Sequence, residues 1–150
     1  TPAMPRIRYE KTEAYEILVD GDNAIFDTYK DLFLLAASVG YNRGQWDDNP
    51  GKDDEIPWRI LRNNPENLVV ASSIAYAHTE NYEALVDEEK QVEVLQKYAS
   101  GGIDIIRSQV VEQPGDPLDN MIEFLRRNRD VESEEERISV LEEIEREFQG

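Results

Sequence analysis

The longest mainly apolar stretch of the chain runs from Phe26 to Gly44. Its apolar residues recur at helical spacing, and adjacent leucines widen the apolar face until little remains for water, which is typical of a buried helix. Asp27 or Thr28 is suited to cap its start, and Gly40 is suited to end it in a left-handed conformation. The pattern therefore predicts a central core helix followed by a polar surface turn at residues 41–44.

Helical spacing or helix-start signals mark five further segments, at residues 12–19, 64–77, 87–111, 118–127 and 133–148. The alternation of Arg6–Tyr9 favours a short strand. Gly101–Gly102 interrupts the fourth helix, which predicts either a kink or the close approach of another backbone. We expect an all-α fold, a compact bundle of about six helices with a short N-terminal strand.

The 150 residues are enough for one domain with a real core. We assign 1–5 to a disordered tail or tag remnant, 6–129 to the helical domain and 130–150 to an acidic amphipathic C-terminal helix. That last helix is expected to begin at the capping box Ser133-x-x-Glu136. Its apolar stripe, which either docks on the domain or binds a partner, consists of Ile138, Leu141, Ile144 and Phe148.

An irregular acidic region, residues 45–56, lies between Trp46 and Trp58. We interpret it as a surface excursion held by two aromatic residues at the core or its rim, rather than as a binding groove. Three arginines, Arg126, Arg127 and Arg129, form the only basic cluster. They are expected to end the preceding helix, where cations favour the negative end of the dipole, and are also the candidates for a phosphate contact.

The charge narrows the classes of function. With 33 acidic and 16 basic residues, the formal net charge is −17, and such a surface repels phosphate backbones. Arginine outnumbers lysine 11 to 5. Acid excess with few lysines favours adaptation to a salt-loaded cytoplasm, where the Debye length shrinks to roughly 3 Å. Imitation of DNA is a more specific explanation of the same acidity. The acids are spread along the whole chain, however, which favours adaptation to salt.

Few residues of the sequence are candidates for catalysis or metal binding. Without cysteine, the single His78 cannot make an ordinary zinc site, and we expect it to interact with carbonyls at a helix end. Residues 20–23 only superficially resemble a calcium loop, because Asp31 stands where the closing glutamate is required. No phosphate-binding glycine loop or serine-hydrolase elbow is present. We therefore expect no enzyme, catalytic residue, metal or cofactor.

Four segments, taken in their order along the chain, resemble one protein family. The segment 26–44 is similar to the signature of the DNA phosphorothioation-associated protein 4 family, also called dnd system-associated protein 4. The similarity continues in Ile56-Pro57-Trp58, in the tyrosine-alanine-x-glycine-glycine stretch at 98–102, and in the turn at 114–120. It covers roughly residues 6 to 125, and the acidic composition suggests a haloarchaeal member.

The resemblance implies a small accessory protein encoded beside the genes of a DNA phosphorothioation-based modification and restriction system in anti-phage defence. It implies no established activity, so no catalytic residue is carried over, and we expect a non-enzymatic protein with protein partners in that machinery. We expect a cytoplasmic adaptor or regulator without membrane spans, and leave open a homo-oligomer, a helix-turn-helix-like DNA-contacting regulator and a DNA mimic. The candidate partner-binding residues are Tyr41, Asn42, Arg43, Trp46, Ile138, Leu141 and Phe148.

The hypothesis that the protein is adapted to high salt leads to the first prediction. Lowering the salt from molar to millimolar is expected to unfold the protein, because repulsion among its acids is then no longer screened. Thermal melts followed by circular dichroism across a salt series, with sucrose as an uncharged control, measure this. A melting temperature indifferent to salt would contradict halophilic adaptation.

Overall fold

The computed structural model describes the backbone of residues 4–149 and the side chains of residues 4–129, Ile138 and 141–147. Residues 1–3 of the predicted tail lie outside the described residues, as does the side chain of Phe148.

Six α-helices and one two-stranded sheet form the described chain, which confirms the predicted fold class. The helices are α1 (Glu13–Tyr15), α2 (Tyr29–Arg43), α3 (Trp58–Arg62), α4 (Pro65–Thr79), α5 (Glu88–Ile106) and α6 (Pro117–Gln149). The strands are β1 (Arg6–Tyr9) and β2 (Asp54–Pro57). Two π-helical turns, Glu16–Asp20 and Arg107–Val111, continue α1 and α5, and a 3₁₀ turn at Tyr82–Leu85 links α4 to α5.

Side-chain caps begin the main helices where the sequence indicates. The hydroxyl of Thr28 accepts a hydrogen bond from the Asp31 amide at 3.3 Å, so Thr28 rather than Asp27 caps α2. Asn64 caps α4 ahead of Pro65, and Asp87 caps α5. Each cap satisfies a backbone N–H that has no partner inside its helix.

The predicted strand Arg6–Tyr9 pairs antiparallel with β2, which lies at the end of the region expected to be irregular. Ile7 is opposite Ile56, and both are buried. The Arg8 amide donates to Gln96 Oε1 at 2.6 Å, which holds β1 against α5. Trp58 follows β2 directly and is among the largest fully buried side chains, so the short sheet returns the chain to the core.

The closest packing in the core is the crossing of α2 and α5. A Cβ at Gly102 would overlap the carbonyl oxygen of Ala36, and a Cβ at Gly40 would overlap the carbonyl oxygen of Tyr98. Of the two outcomes predicted for the glycine pair in α5, close approach of another backbone is therefore the correct one, and α5 continues through the pair.

The expectation that Gly40 ends the central helix is wrong. Gly40 lies inside α2 and is needed there for the crossing, while Gly44, at φ 65°, is the left-handed residue that ends the helix. Residues 41–43 are consequently the last turn of α2 and not a surface loop.

The predicted break near residue 129 is also absent. Helix α6 runs without interruption from Pro117 to Gln149, so the three arginines do not end a helix and Ser133 does not begin one. Neither glycine nor proline occurs between residues 118 and 149, and serine inside a helix costs only a few tenths of a kcal/mol relative to alanine. A local capping signal is therefore overridden by continuous helix-forming sequence.

The crossing gives the second prediction. Gly102→Ala is expected to lower the free energy of unfolding by about 1–3 kcal/mol, since the new methyl group meets a backbone oxygen that cannot move aside alone. Alanine has the higher intrinsic helix propensity by about 1 kcal/mol, so the sign of the effect is diagnostic. Urea denaturation in molar salt measures it, with Ser73→Ala on the exposed side of α4 as the control. Stabilisation by Gly102→Ala would contradict the tight crossing.

Candidate interaction surfaces

The end of α2, proposed from sequence as an exposed recognition turn, is tied to other helices. Arg43 Nε donates to Asn128 Oδ1 at 3.1 Å, and its Nη2 donates to the same oxygen. The guanidinium also lies 5.9 Å from the centre of the Phe124 ring. Arg43 therefore fastens α6 to α2. Asn42 is exposed, and Tyr41, at the edge of exposure, packs edge-on against Tyr98.

Trp46 is half-buried at the centre of an aromatic cluster. Its ring stacks on the imidazole of His78 at 4.2 Å between centroids and 13° between planes, and meets Tyr98 edge-on at 4.8 Å. The ammonium of Lys97 lies 5.2 Å from the ring centre, and the indole N–H donates to Asp48 at 2.6 Å. The interpretation of Trp46 as an aromatic residue at the core rim fits this packing.

His78 takes part in packing, but with partners other than those expected. Its Nδ1 lies 2.8 Å from the hydroxyl of Tyr98, in place of the predicted contact with helix-end carbonyls. Burial, and then the nearby Tyr41, raise the pKa of Tyr98 above its ordinary value. The phenol therefore stays protonated at neutral pH and is able to donate to His78.

A small polar cavity of about 90 Å³ lies between the sheet and α5. Asp47 and Ser100 line it and are joined by a hydrogen bond from the Ser100 hydroxyl at 2.6 Å. Tyr9 and Tyr15 also line it, and burial raises the pKa of each, so both phenols remain neutral. Among the described residues, no group of three or more His, Cys, Asp or Glu is arranged to hold a metal ion.

The three arginines proposed for a phosphate contact project from α6. Arg126, Arg127 and Arg129 are exposed and lie in the interior of the helix. The dipole argument that placed cations at a helix end therefore does not apply to them.

The helical spacing of residues 118–127 predicts one apolar face, made of Leu118, Met121, Ile122 and Leu125, but the first half of α6 packs by another. Met121 and Phe124 are buried, whereas Leu118, Ile122 and Leu125 remain more than a third exposed. The sequence pattern placed Met121 correctly and missed Phe124, because the exposed apolar residues outnumber the buried ones on this helix.

The second half of α6 carries the apolar stripe predicted to bind a partner. Ile138, Leu141 and Ile144 are 55, 60 and 44% exposed, and we call these three residues the distal stripe. Every described side chain beyond Asn128 is exposed. The prediction for Phe148 falls on a side chain outside the described residues.

Sequence reasoning missed a second exposed apolar group, on the 3₁₀ turn and at the residue directly after it. Tyr82 and Val86 are 76 and 84% exposed, and Tyr82 stacks on Tyr76 at 5.3 Å. Their sequence signal is weak because they are separate apolar residues among acids and have no period.

Fold and surfaces together define a small acidic helical protein with an extended C-terminal helix. The family model described as DNA sulphur modification system-associated protein 4 matches residues 6–144, and the chain belongs to this family. The match reaches beyond the region of resemblance in the sequence and includes most of α6. No curated protein and no solved structure matches the chain.

Membership of this family associates the chain with a DNA sulphur modification system. Within the described part of the chain, no helix combines the length and the apolar character required to span a bilayer.

The aromatic cluster gives the third prediction. Tyr98→Phe is expected to lower the free energy of unfolding by about 1 kcal/mol, because the hydrogen bond to His78 is lost while the ring remains. Tyr82→Phe, at a residue that is 76% exposed, is the matched control and is expected to have no effect. Urea denaturation of both variants measures this. Equal effects would show that the His78–Tyr98 bond contributes nothing.

Proposed function

We propose that the protein is a non-enzymatic adaptor that binds a protein component of the DNA sulphur modification machinery through the distal half of α6. The observation that carries this proposal is the exposure of the distal stripe along a helix whose described side chains beyond Asn128 contact no core. At 1.5 Å per residue, about 20 residues of helix extend roughly 30 Å past Asn128, the last anchoring contact among the described side chains.

The energetics support a role for this segment in binding. Most helices in proteins are stabilised mainly by packing an apolar face, and the described side chains of this segment are exposed instead. Burying a leucine or isoleucine side chain contributes about 1.5–3 kcal/mol. Burial of the three residues of the distal stripe by a partner would therefore contribute several kcal/mol to the free energy of binding.

Other features of the chain support a protein partner rather than catalysis or direct contact with DNA. His78, the single histidine of the sequence, is engaged between Trp46 and Tyr98. The net charge of −17 opposes binding to phosphate backbones. The exposed arginines of α6 are followed along the same helix by a surplus of glutamates, which weakens their attraction for phosphate.

The fourth prediction tests the adaptor role. In pulldowns performed in molar salt with the neighbouring modification and restriction proteins, the wild-type chain is expected to retain one of them. Leu141→Ser with Ile144→Ser is expected to abolish retention, because the apolar contact is removed while the helix propensity changes little.

A matched control is Val69→Ser with Leu85→Ser, since these residues are 62 and 44% exposed on the body of the domain. This variant is expected to retain the partner. Circular dichroism establishes that both variants are folded. Failure of the wild-type chain to retain any of these proteins, or equal loss in both variants, would refute the adaptor role at this surface.

A further inference from the structure

We infer that the distal stripe binds a basic amphipathic helix, in which apolar residues are flanked by lysine or arginine. This inference rests on the proposed adaptor function and adds the chemistry of the partner. It follows from where the charged residues of α6 lie relative to the stripe.

Two glutamates flank Leu141 and Ile144 of the stripe, and Arg146 faces away from them. If Leu141 and Ile144 take the core a and d positions of a heptad, Glu145 and Glu147 fall at e and g, the positions that face the flanks of a partner helix, and Ile138 falls at the preceding e position. Arg146 falls at f, the outermost position. All three charged side chains are exposed. The surface that a partner meets is therefore apolar with anionic edges.

A second copy of the chain does not fit these edges when the same halves meet. In a parallel pair, g positions of one helix approach e positions of the other, and in an antiparallel pair like positions approach each other. The e and g positions of residues 138–147 hold Ile138, Val140, Glu145 and Glu147, so neither arrangement gives either glutamate a cationic partner.

Pairing the distal half with the first half of a second copy meets the same obstacle. The exposed Leu118, Ile122 and Leu125 have the mirrored sequence spacing of Leu141, Ile144 and Phe148, so an antiparallel alignment places Leu125 opposite Leu141 and Ile122 opposite Ile144. In that alignment Asp119, at an e position, approaches Glu145 at the e position of the other helix. Self-association thus gains apolar contact at the cost of like charges.

A basic partner satisfies both the apolar and the charged part of the surface. Lysine or arginine at its flanking positions pairs with Glu145 and Glu147, and its apolar face covers the distal stripe. Complementary charge of this kind selects the partner and its orientation and accelerates the encounter. In concentrated salt the long-range attraction is screened, while pairs in direct contact are screened less.

The fifth prediction tests this chemistry with synthetic peptides and the full chain. Two helical peptides share one leucine stripe and differ only in having lysine or glutamate at the flanking positions. By titration calorimetry, the wild-type chain is expected to bind the lysine-flanked peptide at least about tenfold more tightly than the glutamate-flanked one. Glu145→Lys with Glu147→Lys is expected to reverse this preference.

The matched control is Glu16→Lys with Asp22→Lys, which changes the net charge equally at exposed positions of the body. It is expected to leave the preference unchanged. If the control weakens binding of the lysine-flanked peptide as much as the distal variant does, bulk charge explains the binding and the inference is wrong. Equal affinity of the wild type for both peptides would also overturn it.

Co-purification separates failure of this inference from failure of the adaptor role. If Leu141→Ser with Ile144→Ser loses the system component while Glu145→Lys with Glu147→Lys retains it fully, the adaptor role stands and the basic partner is refuted. If neither double variant changes retention, the distal stripe is not the binding surface and both proposals are refuted.

Discussion

The close approach of α2 and α5 is the constraint on which the rest of the structure depends. With Gly40 and Gly102 at the crossing, the two backbones touch where side chains would otherwise separate them. This contact fixes where α2 ends, and the chain leaving it runs along α5. The Asp47 amide then donates to the Lys97 carbonyl at 3.2 Å, and the Asp47 carboxylate accepts from Ser100. Trp46 is thereby placed against Tyr98 and His78.

The same crossing also positions α6. Because α2 continues for a full turn beyond Gly40, Arg43 reaches Asn128 and the face of Phe124. These contacts, with burial of Met121 and Phe124, anchor only the first third of a long helix. The core thus determines the direction in which the rest of α6 extends, and the described side chains of that part are exposed.

Local signals predicted the elements well, and tertiary contacts account for the errors. The helix caps at Thr28, Asn64 and Asp87 are hydrogen bonds between residues close in sequence. They can therefore be predicted without a structure. Gly40 carries the same local signal whether it ends a helix or admits another backbone, and only the position of Gly102 decides between them.

The candidate surfaces show the same division. The stripe of Ile138, Leu141 and Ile144 was predictable because it is periodic within one helix. The cluster of Trp46, His78 and Tyr98 joins three separate segments of the chain. It could not be predicted, because no regular spacing in the sequence relates these residues. Arg43 has the sequence signal of an exposed recognition residue, because its partner Asn128 lies 85 positions away.

Helix α6 is least favourable electrostatically at its exposed end. The C-terminus of a helix carries a partial negative charge that favours cations, yet Glu143, Glu145 and Glu147 lie in its last two turns against a single Arg146. Such an arrangement weakens the isolated helix end. A cationic partner would relieve this repulsion and cover the distal stripe in the same step, so the charge distribution and the apolar pattern of α6 both favour the same kind of ligand.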